Sequence, residues 1–498
     1  MSKLVLAIDQ GTTGTRAYLF DRKGKVVGNA YQEFTQYFPQ PGWVEHDAVE
    51  IWRSVEETGR KALRMAGAKT QDISAIGITN QRETTVLWDR KTGKPVHKAI
   101  VWQCRRTADR CEALKKKGKE AFVRSRTGLV LDAYFSGAKL EWLLQNVPGS
   151  LAKARVGRLA FGTIDTWLLW NLTGGASHAT DYSNASRTLL FNSRKLQWDP
   201  ELCKLFGVPP QVLPRVQASA SRFGETFPKS YLGAGIPVCG MAGDQQAALY
   251  GQGCHEPGSL KNTYGTGCFL LMNAGKKFFL SKNRLLTTLG CDAKGKPTYV
   301  LEGSVFIGGA AIQWVRDGLG LIKASPESEK LAATFPDTGG VYFVPAFVGL
   351  GAPYWDMQAR GAILGITRGT TGAQIVRAAL ESLAYQTRDM VEAMQADTGI
   401  KVKELRVDGG ASGNNLLMQF QADLSNVVIN RPKLVETTAL GAAYLAGLEV
   451  GFWKSPEVVE RLRATGKVFK PRMKETERRK LWAGWKQAVS RVLTREKA

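Results

Sequence analysis

The sequence predicts an α/β protein of two related domains that face one cleft. The chain has 498 residues, which is more than one hydrophobic core usually holds, so two domains are expected. Strand and helix patterns alternate through the first half, and the same alternation begins again near residue 260. Both halves begin with apolar strands around a turn of Gly and Thr, IDQGTTGTRAYLF and NTYGTGCFLLM. This similarity favours an internal duplication.

In the first half, the apolar runs LVLAID (4–9) and AYLFD (17–21) predict two strands on either side of the turn. Residues 47–67 predict an amphipathic helix with Asp47 as its N-cap. The β-branched run ISAIGIT (73–79) predicts a buried strand.

The second half repeats these patterns. Residues 259–273 predict strand, turn and strand, and residues 371–399 predict a long helix. The run ELRVDGG (404–410) predicts a strand that enters a glycine turn, followed by a helix from about Asn414.

The domain boundary is expected near residues 245–258, where GQGCHEPGS interrupts the strand and helix patterns. The predicted domains are therefore residues 1–250 and residues 251–498.

Composition favours a folded cytoplasmic protein. Hydrophobic residues make up 44% of the chain, and no segment approaches the roughly 20 apolar residues of a membrane span. The seven cysteines are scattered and never form Cys-x-x-Cys, which argues against a disulfide framework and a zinc site. Asp9 interrupts the apolar N-terminus, so no signal peptide is predicted there.

The net charge of +24 suggests nucleic acid as a possible partner. However, the basic residues are spread along the chain, with local runs only at 115–119 and 467–482. No recognisable nucleic-acid module accompanies them. The charge therefore favours a solvated basic surface that also attracts an anionic substrate, and binding of nucleic acid remains an alternative.

The first turn, DQGTTGTR (9–16), has the composition of a phosphate-binding turn. Backbone N–H groups and hydroxyls in such a turn can point at one anion, and Arg16 adds donors. Asp9 at the strand end can hold Mg²⁺, directly or through water. A plain hairpin turn is the alternative. The P-loop, protein-kinase and dinucleotide-binding motifs are absent from the sequence.

Four further stretches combine polar residues with strand or helix ends. NQRETT (80–85) follows a buried strand, and YFSGAKLEWLLQN (134–146) enters a helix. AGDQQAA (242–248) places Asp244 in a turn of small residues, where a carboxylate can accept a hydroxyl proton. VDGGASGNN (407–415) brings a glycine turn to a helix N-terminus, which suits phosphates. Each stretch taken alone also fits a structural role.

Together these stretches resemble the FGGY carbohydrate kinases over essentially the whole chain, and within that family the branch that phosphorylates glycerol. The matching segments occur in the family's order: DQGTTGTR, NQRETT, VWQCRRT, YFSGAKLEWLL, TDYSNASRTLLFN, AGDQQAALYGQ, NTYGTGCF, GGAAIQWVRD and DGGASGNNLLMQFQAD. The resemblance implies two actin-like ATPase (ribonuclease-H-like) domains flanking a deep catalytic cleft.

The resemblance also implies roles for individual residues. Asp244 would be the catalytic base, and Trp102 and Phe269 would pack against the carbon chain of the substrate. Side chains that hydrogen-bond or pack against the polyol would be Arg82, Glu83, Trp102, Tyr134, Asp244, Gln245 and Phe269. Because a polyol is uncharged, hydrogen bonds must supply its specificity.

ATP would be bound by both halves of the chain. The residues implied are Thr12, Thr13, Gly14 and Arg16 from the first half, and Thr266, Gly309, Gln313, Gly410, Ala411 and Asn414 from the second. Asp9 and Asp244 would hold Mg²⁺. Family members often have serine where this chain has Gly14, and we expect little effect of the glycine on ATP affinity.

The expected substrates are therefore glycerol and MgATP, with sn-glycerol 3-phosphate as product, and a homodimer or homotetramer is expected from the resemblance. Besides binding of nucleic acid, two alternatives remain. One is a kinase of the same fold for another polyol or for a ketose such as xylulose. The other is an actin-like ATPase without a small acceptor, in which Arg82, Glu83 and Asp244 would have no evident purpose.

Overall fold

A computed structural model describes residues 3–433, 436–463 and 465–494. The first half contains the strands β1 (Leu4–Gln10), β2 (Gly14–Phe20), β3 (Val26–Glu33), β4 (Gln36–Tyr37), β5 (Glu45–His46), β6 (Ile73–Asn80), β7 (Val86–Asp89), β8 (Ala99–Ile100), β9 (Leu159–Gly162), β10 (Ala179–Asp181), β11 (Phe191–Asn192), β12 (Gln197–Trp198), β13 (Arg215–Gln217), β14 (Ala220–Glu225) and β15 (Pro237–Gly243). Its helices are α1 (Ala48–Ala66), α2 (Ala108–Lys116), α3 (Glu120–Thr127), α4 (Ser136–Asn146), α5 (Ser150–Arg155), α6 (Ile164–Leu172), α7 (Tyr182–Ala185), α8 (Pro200–Leu205) and α9 (Asp244–Gly251).

The second half contains the strands β16 (Leu260–Tyr264), β17 (Cys268–Gly275), β18 (Leu286–Cys291), β19 (Pro297–Val305), β20 (Tyr342–Val344), β21 (Ala362–Leu364), β22 (Glu404–Asp408), β23 (Val428–Pro432) and β24 (Thr465–Phe469). Its helices are α10 (Gly309–Asp317), α11 (Glu327–Ala332), α12 (Gly372–Thr398), α13 (Asn415–Ser425), α14 (Thr437–Glu449), α15 (Pro456–Leu462) and α16 (Glu475–Ser490). None of the described helices is long and apolar enough to cross a membrane.

The first sheet has the strand order β14-β15-β6-β1-β2-β3. Strand β1 pairs in parallel with β6, and β6 pairs in parallel with β15, while β1 and β2 form an antiparallel hairpin. Because parallel strands end at the same edge of a sheet, the residues at or just after the ends of β1, β6 and β15 meet there. That edge collects Asp9, Arg82 and Asp244.

The second sheet has the order β18-β19-β17-β16-β22-β23-β24. Its centre repeats the arrangement of the first sheet, with an antiparallel hairpin (β16 and β17) beside a parallel strand, β22. The predicted repetition of strand, Gly/Thr turn and strand therefore holds in three dimensions.

Helix α14 lies in the second half of the chain but packs against the first sheet. A Cβ built on Gly77 of β6 would lie 2.2 Å from the carbonyl oxygen of Ala442, and one on Gly240 of β15 would lie 2.6 Å from the same oxygen. Glycine is required at both strand positions because the helix backbone comes so close. The boundary between residues 250 and 251 stays a prediction, since this helix joins the two halves.

Most local predictions match the structure. Asp47 caps α1 and accepts from the N–H of Val49 at 2.8 Å, and Asn414 caps α13, which begins one residue later. The predicted turn of small residues around Asp244 is different: Asp244 is the first residue of α9. The strand β15 passes directly into the helix at this point.

Candidate active site

Three predicted site residues meet where the first sheet ends. Asp244 begins α9, and its Oδ1 lies 3.0 Å from Nε of Arg82, which follows β6. The same oxygen accepts from the N–H of Gln245 at 2.7 Å. The Asp244 side chain remains 32% exposed. Its Oδ2 makes no hydrogen bond to the residues that the structure describes, so this oxygen is free to accept a proton.

Arg82 is held by a carboxylate of the second sheet. Its Nη1 and Nη2 donate to Oε2 and Oε1 of Glu302 at 2.5 and 3.2 Å, and the two side chains are 3% and 0% exposed. Burial opposes ionisation of Glu302, but the guanidinium groups of Arg187 and Arg82 lower its pKa to about 2. Glu302 is therefore an anion at neutral pH.

Glu83 lies beside a second buried arginine. Nε of Arg187 donates to Oε1 of Glu83 at 2.5 Å, and its Nη2 lies 3.3 Å from Glu302. Burial raises the pKa of Glu83, while Arg187 and Arg82 oppose that change. The backbone of Glu83 has φ of 62°, which a residue other than glycine rarely adopts and which costs about 1–3 kcal/mol. Such strain often accompanies a functional site.

The predicted aromatic residues adjoin this cluster. The Tyr134 ring lies 5.4 Å from the guanidinium of Arg187 and packs edge-on against Trp102 at 5.5 Å. Nε1 of Trp102 donates to Oγ1 of Thr12 at 2.9 Å. This hydrogen bond connects the predicted polyol pocket to the predicted phosphate turn.

Gln245 contacts a lysine that the sequence did not single out. Nζ of Lys261, on β16, donates to Oε1 of Gln245 at 2.5 Å and to Oγ1 of Thr263 at 2.7 Å. Burial lowers the pKa of Lys261 to about 8, and Arg82 also lowers it. The carboxylates of Asp408, Asp244 and Glu302 act in the opposite direction and raise this pKa. Phe269 pairs with Thr263 across the sheet and packs near Leu249 of α9.

The first Gly/Thr turn is the tip of the β1–β2 hairpin and is partly exposed to solvent. Thr12 is half-buried, Thr13 is exposed, and Arg16 stacks on the Tyr31 ring at 4.7 Å. A Cβ on Gly14 would lie 2.5 Å from the same ring. Tyr31 and the carbonyl oxygen of Gln32, 2.7 Å from the same Cβ, occupy the space that a serine side chain at position 14 would need, which explains the glycine here.

The predicted nucleotide residues of the second half lie at the corresponding edge of the second sheet. The N–H of Gly309 donates to the carbonyl of Gly265 at 2.9 Å, and that of Ala310 donates to Thr266 at 3.1 Å. Residues 410–413 form a short 3-10 helix preceded by Gly409, on which a Cβ would lie 2.6 Å from the carbonyl oxygen of Tyr264. The N-terminus of α10 and the turn at 409–413 are thus neighbours.

This edge contains Thr266, Gly309, Gly410 and Ala411, whereas Gln313 is exposed one turn further along α10. The Asn414 side chain caps α13 by accepting from the N–H of Leu417 at 2.9 Å. Arg431 was not predicted, yet it donates to the carbonyl groups of Ser412 and Gly413 at 2.6 and 3.0 Å. It fixes the shape of the glycine turn.

Asp9 is the candidate metal ligand on β1. Burial raises its pKa to about 7, Arg16 opposes this, and the nearby carboxylates of Asp244 and Glu436 add to it. The described part of the chain contains no group of three or more His, Cys, Asp or Glu side chains arranged for a metal. Mg²⁺ is usually held by one or two carboxylates together with substrate phosphates and water, so these carboxylates fit it.

The structure thus brings Arg82, Glu83, Tyr134, Asp244 and Gln245 together, and places the two sets of Gly/Thr turns beside them. Sequence reasoning missed Glu302 and Lys261 in this cluster, and gave Arg187 no role although TDYSNASRTLLFN contains it. A charged residue inside an otherwise buried strand, as in LKNTY and YVLEGSV, was the available signal.

Comparison with known proteins agrees with this architecture. Residues 4–251 match the N-terminal domain of the FGGY family of carbohydrate kinases, and residues 260–450 match its C-terminal domain. Glycerol kinase 2 of Thermotoga maritima is 61% identical over 99% of this chain and 100% of its own length. Glycerol kinase of Carboxydothermus hydrogenoformans is 59% identical over 98% of each chain.

Solved structures give the same result. Plasmodium falciparum glycerol kinase, crystallised with ADP, superposes with a TM-score of 0.94 at 38% identity over 99% of both chains. Gluconate kinase of Lactobacillus acidophilus has a TM-score of 0.89 at 22% identity over 99% of this chain and 98% of its own, which shows the shared fold. The prediction of two actin-like ATPase domains is confirmed, and the chain belongs to the FGGY family of carbohydrate kinases.

Proposed function

We propose that this protein transfers the γ-phosphoryl group of ATP to glycerol and forms sn-glycerol 3-phosphate. Full-length similarity to glycerol kinases at 59–61% identity supports the proposal. The observation that argues for it most directly is a set of polar atoms that converge near Asp244 and have no partner among the described residues.

Each of the first three of these atoms belongs to a side chain whose other polar atoms contact neighbouring residues. In Asp244, Oδ1 accepts from the N–H of Gln245 and Oδ2 has no partner among the described residues. In Glu83, Oε1 accepts from Arg187 and Oε2 likewise has no partner among them. Arg82 has five N–H groups. Gln246 and Glu302 accept from three of them, and Nε forms an ion pair with Asp244, which leaves one N–H on Nη2.

The Tyr134 hydroxyl also lacks a hydrogen-bond partner in the described residues, and its ring packs against Trp102. The pocket thus offers two free acceptors, one free donor, and the Tyr134 hydroxyl, which can donate or accept. This combination matches the hydroxyls of a small polyol. The Trp102 ring offers an apolar wall to the carbon chain. A charged substrate has no comparable match, since Arg82 and Arg187 are already paired with Glu302 and Glu83.

In the reaction, Oδ2 of Asp244 takes the proton from the acceptor hydroxyl as its oxygen attacks the γ-phosphorus in line. A new O–P bond forms, and the bond to the β-phosphate oxygen breaks and releases ADP. The Thr12–Arg16 turn and the N-terminus of α10 hold the phosphates through hydroxyls, N–H groups and one guanidinium.

We assign Mg²⁺ binding to the carboxylates of Asp9 and Asp244. The ion would neutralise charge on the phosphates. Closure of the two halves would position the reactants and exclude water, which would otherwise compete as acceptor.

The test is release of ADP from MgATP in parallel reactions with glycerol, dihydroxyacetone, D-xylulose, D-ribulose and no acceptor. The proposal expects turnover that strongly favours glycerol. Preference for a ketose would refute glycerol as substrate and retain the kinase mechanism. Hydrolysis that is independent of any acceptor would favour the actin-like ATPase alternative instead. The predicted homodimer or homotetramer remains a prediction, to be checked by light scattering.

A further inference from the structure

Two charged side chains of the second sheet face the acceptor pocket of the first. Lys261 on β16 pairs with Leu271 on β17, and Leu271 pairs with Glu302 on β19. Residues directly opposite each other on neighbouring strands share one face of a sheet. Lys261 and Glu302 therefore point to the same side, and that side lies against α9.

The opposite face of this sheet is covered by its own domain. A Cβ on Gly303, the residue after Glu302, would lie 2.7 Å from Sδ of Met390 on α12. Glu302 and Gly303 alternate in direction along the strand. Glu302 is thus turned away from the core of the second domain, which excludes a role as an ordinary residue of that core.

Glu302 binds two arginines of the first half. It accepts two hydrogen bonds from Arg82 and lies within 3.4 Å of both terminal nitrogens of Arg187. Arg82, Arg187, Glu83 and Glu302 form a buried group with two positive and two negative charges. Glu302 is the member that comes from the second sheet.

Lys261 binds the neighbouring acceptor residue. Its ammonium group reaches Gln245, while the side chain itself is 0% exposed. A buried ammonium is costly unless partners compensate it. Gln245 and Thr263 are the partners that the structure provides.

We propose that Glu302 and Lys261 are positioning residues that complete the acceptor site across the two halves of the molecule. Glu302 orients the guanidinium of Arg82 so that its remaining N–H faces the pocket, and Lys261 orients Gln245. Acceptor affinity then depends on how the second sheet sits on the first. This inference rests on the proposed function, because it concerns the acceptor of that reaction.

The arrangement around Arg82 also affects the base. Arg82 has two carboxylate partners, Glu302 through both terminal nitrogens and Asp244 through Nε. When Glu302 is removed, Asp244 becomes the only carboxylate on Arg82. The guanidinium is then free to shift toward Asp244, which displaces the proposed base relative to the acceptor.

The test is steady-state kinetics of Glu302→Gln, with glycerol and ATP varied separately. Loss of a hydrogen-bonded charge partner predicts a rise of about 10- to 100-fold in KM for glycerol and a lower kcat. The KM for ATP stays within about 3-fold, since ATP contacts other elements. A purely structural role would lower the Tm and leave the ratio of the two KM values unchanged.

Glu302→Gln leaves one excess positive charge buried, so a second variant keeps the inference testable if this one does not fold. Lys261→Met keeps the chain length, removes the ammonium and leaves the four-charge group intact. It is expected to raise KM for glycerol by about 3- to 10-fold. Asp389→Asn is the matched control, because Asp389 is a buried carboxylate on α12 that pairs with Lys486; its KM values should stay at wild type.

The outcomes separate the two proposals. A wild-type protein that does not phosphorylate glycerol refutes the proposed function, and the variants would then be measured with whichever acceptor it uses. A wild-type glycerol kinase in which both variants keep KM for glycerol within about 2-fold refutes the positioning roles alone. Equal rises in both KM values would refute them as well.

Discussion

Substituting Gly441 by alanine should separate two helices that meet at the centre of the molecule. A Cβ at Gly441 of α14 would lie 1.9 Å from the carbonyl oxygen of Ala247 on α9, where an ordinary contact needs 3.4 Å. The obstacle is backbone, which cannot rotate away as a side chain can. The helices must therefore move apart by about 1.5 Å or change their crossing angle.

This displacement should affect both stability and catalysis. Overpacking of a close contact costs about 1–3 kcal/mol of unfolding free energy. Helix α9 begins with Asp244, so its movement shifts the proposed base. A misplacement of about 1 Å can lower the rate about 100-fold. We therefore expect Gly441→Ala to fold with reduced stability and to lose about 10- to 100-fold in kcat with glycerol.

The measurements are urea unfolding followed by fluorescence, and kcat at saturating glycerol and ATP. Gly372→Ala is the control: it is also a helical glycine, but its Cβ would meet only the flexible Leu321 side chain, at 3.1 Å. The reasoning is refuted if Gly441→Ala keeps kcat within about 3-fold and unfolding free energy within about 0.5 kcal/mol of wild type.

Three further predictions concern single side chains of the site. Asp244→Asn should lower kcat by about 10²- to 10⁴-fold while calorimetry shows acceptor binding within about tenfold of wild type; a rate near wild type would remove it as the base. Gly14→Ser should raise KM for ATP by pushing the Tyr31 ring off Arg16. Adding Tyr31→Ala should reverse part of that rise, because the carbonyl oxygen of Gln32 would still lie 2.7 Å from the new Cβ. An unchanged KM in the single variant contradicts the steric explanation. Burial lowers the pKa of Lys261 from 10.5 to about 8. Lys261 therefore loses its proton at lower pH in the folded protein than in the unfolded chain, so the free energy of unfolding rises from pH 8 toward 10.5. Relative to Lys261→Met, the wild type should gain about 2 kcal/mol in urea unfolding between pH 7.5 and 9.5, and a constant difference would contradict it.

Much of the site was predictable because its residues follow strands in short, recognisable segments. Arg82 and Glu83 come two and three residues after β6, and Asp244 comes directly after β15. Parallel pairing through β6 then brings these positions to one edge without any long-range information. The Gly/Thr turns of both halves were predictable for the same reason, since hairpin chemistry is local.

The unpredicted residues depend on contacts between distant parts of the chain. Glu302 lies 220 positions from Arg82 in sequence, and nothing local in PTYVLEGSV shows that its carboxylate leaves its own domain. Lys261 similarly sits in a strand where a lysine is expected to point to solvent. The register across β17, which places both on one face, is a tertiary property.

The packing partner of helix α14 could not be predicted from local sequence either. Its small and apolar residues could pack on any sheet that presents glycines to a helix. Its packing on Gly77 and Gly240 means that the two halves are not separable pieces. A polypeptide cut at residue 250 would leave the first fragment with an exposed strip of glycine on its sheet. The second fragment would carry α14, the helix that covers this strip in the structure. Co-expressed fragments should therefore associate and reassemble, while either one alone should aggregate.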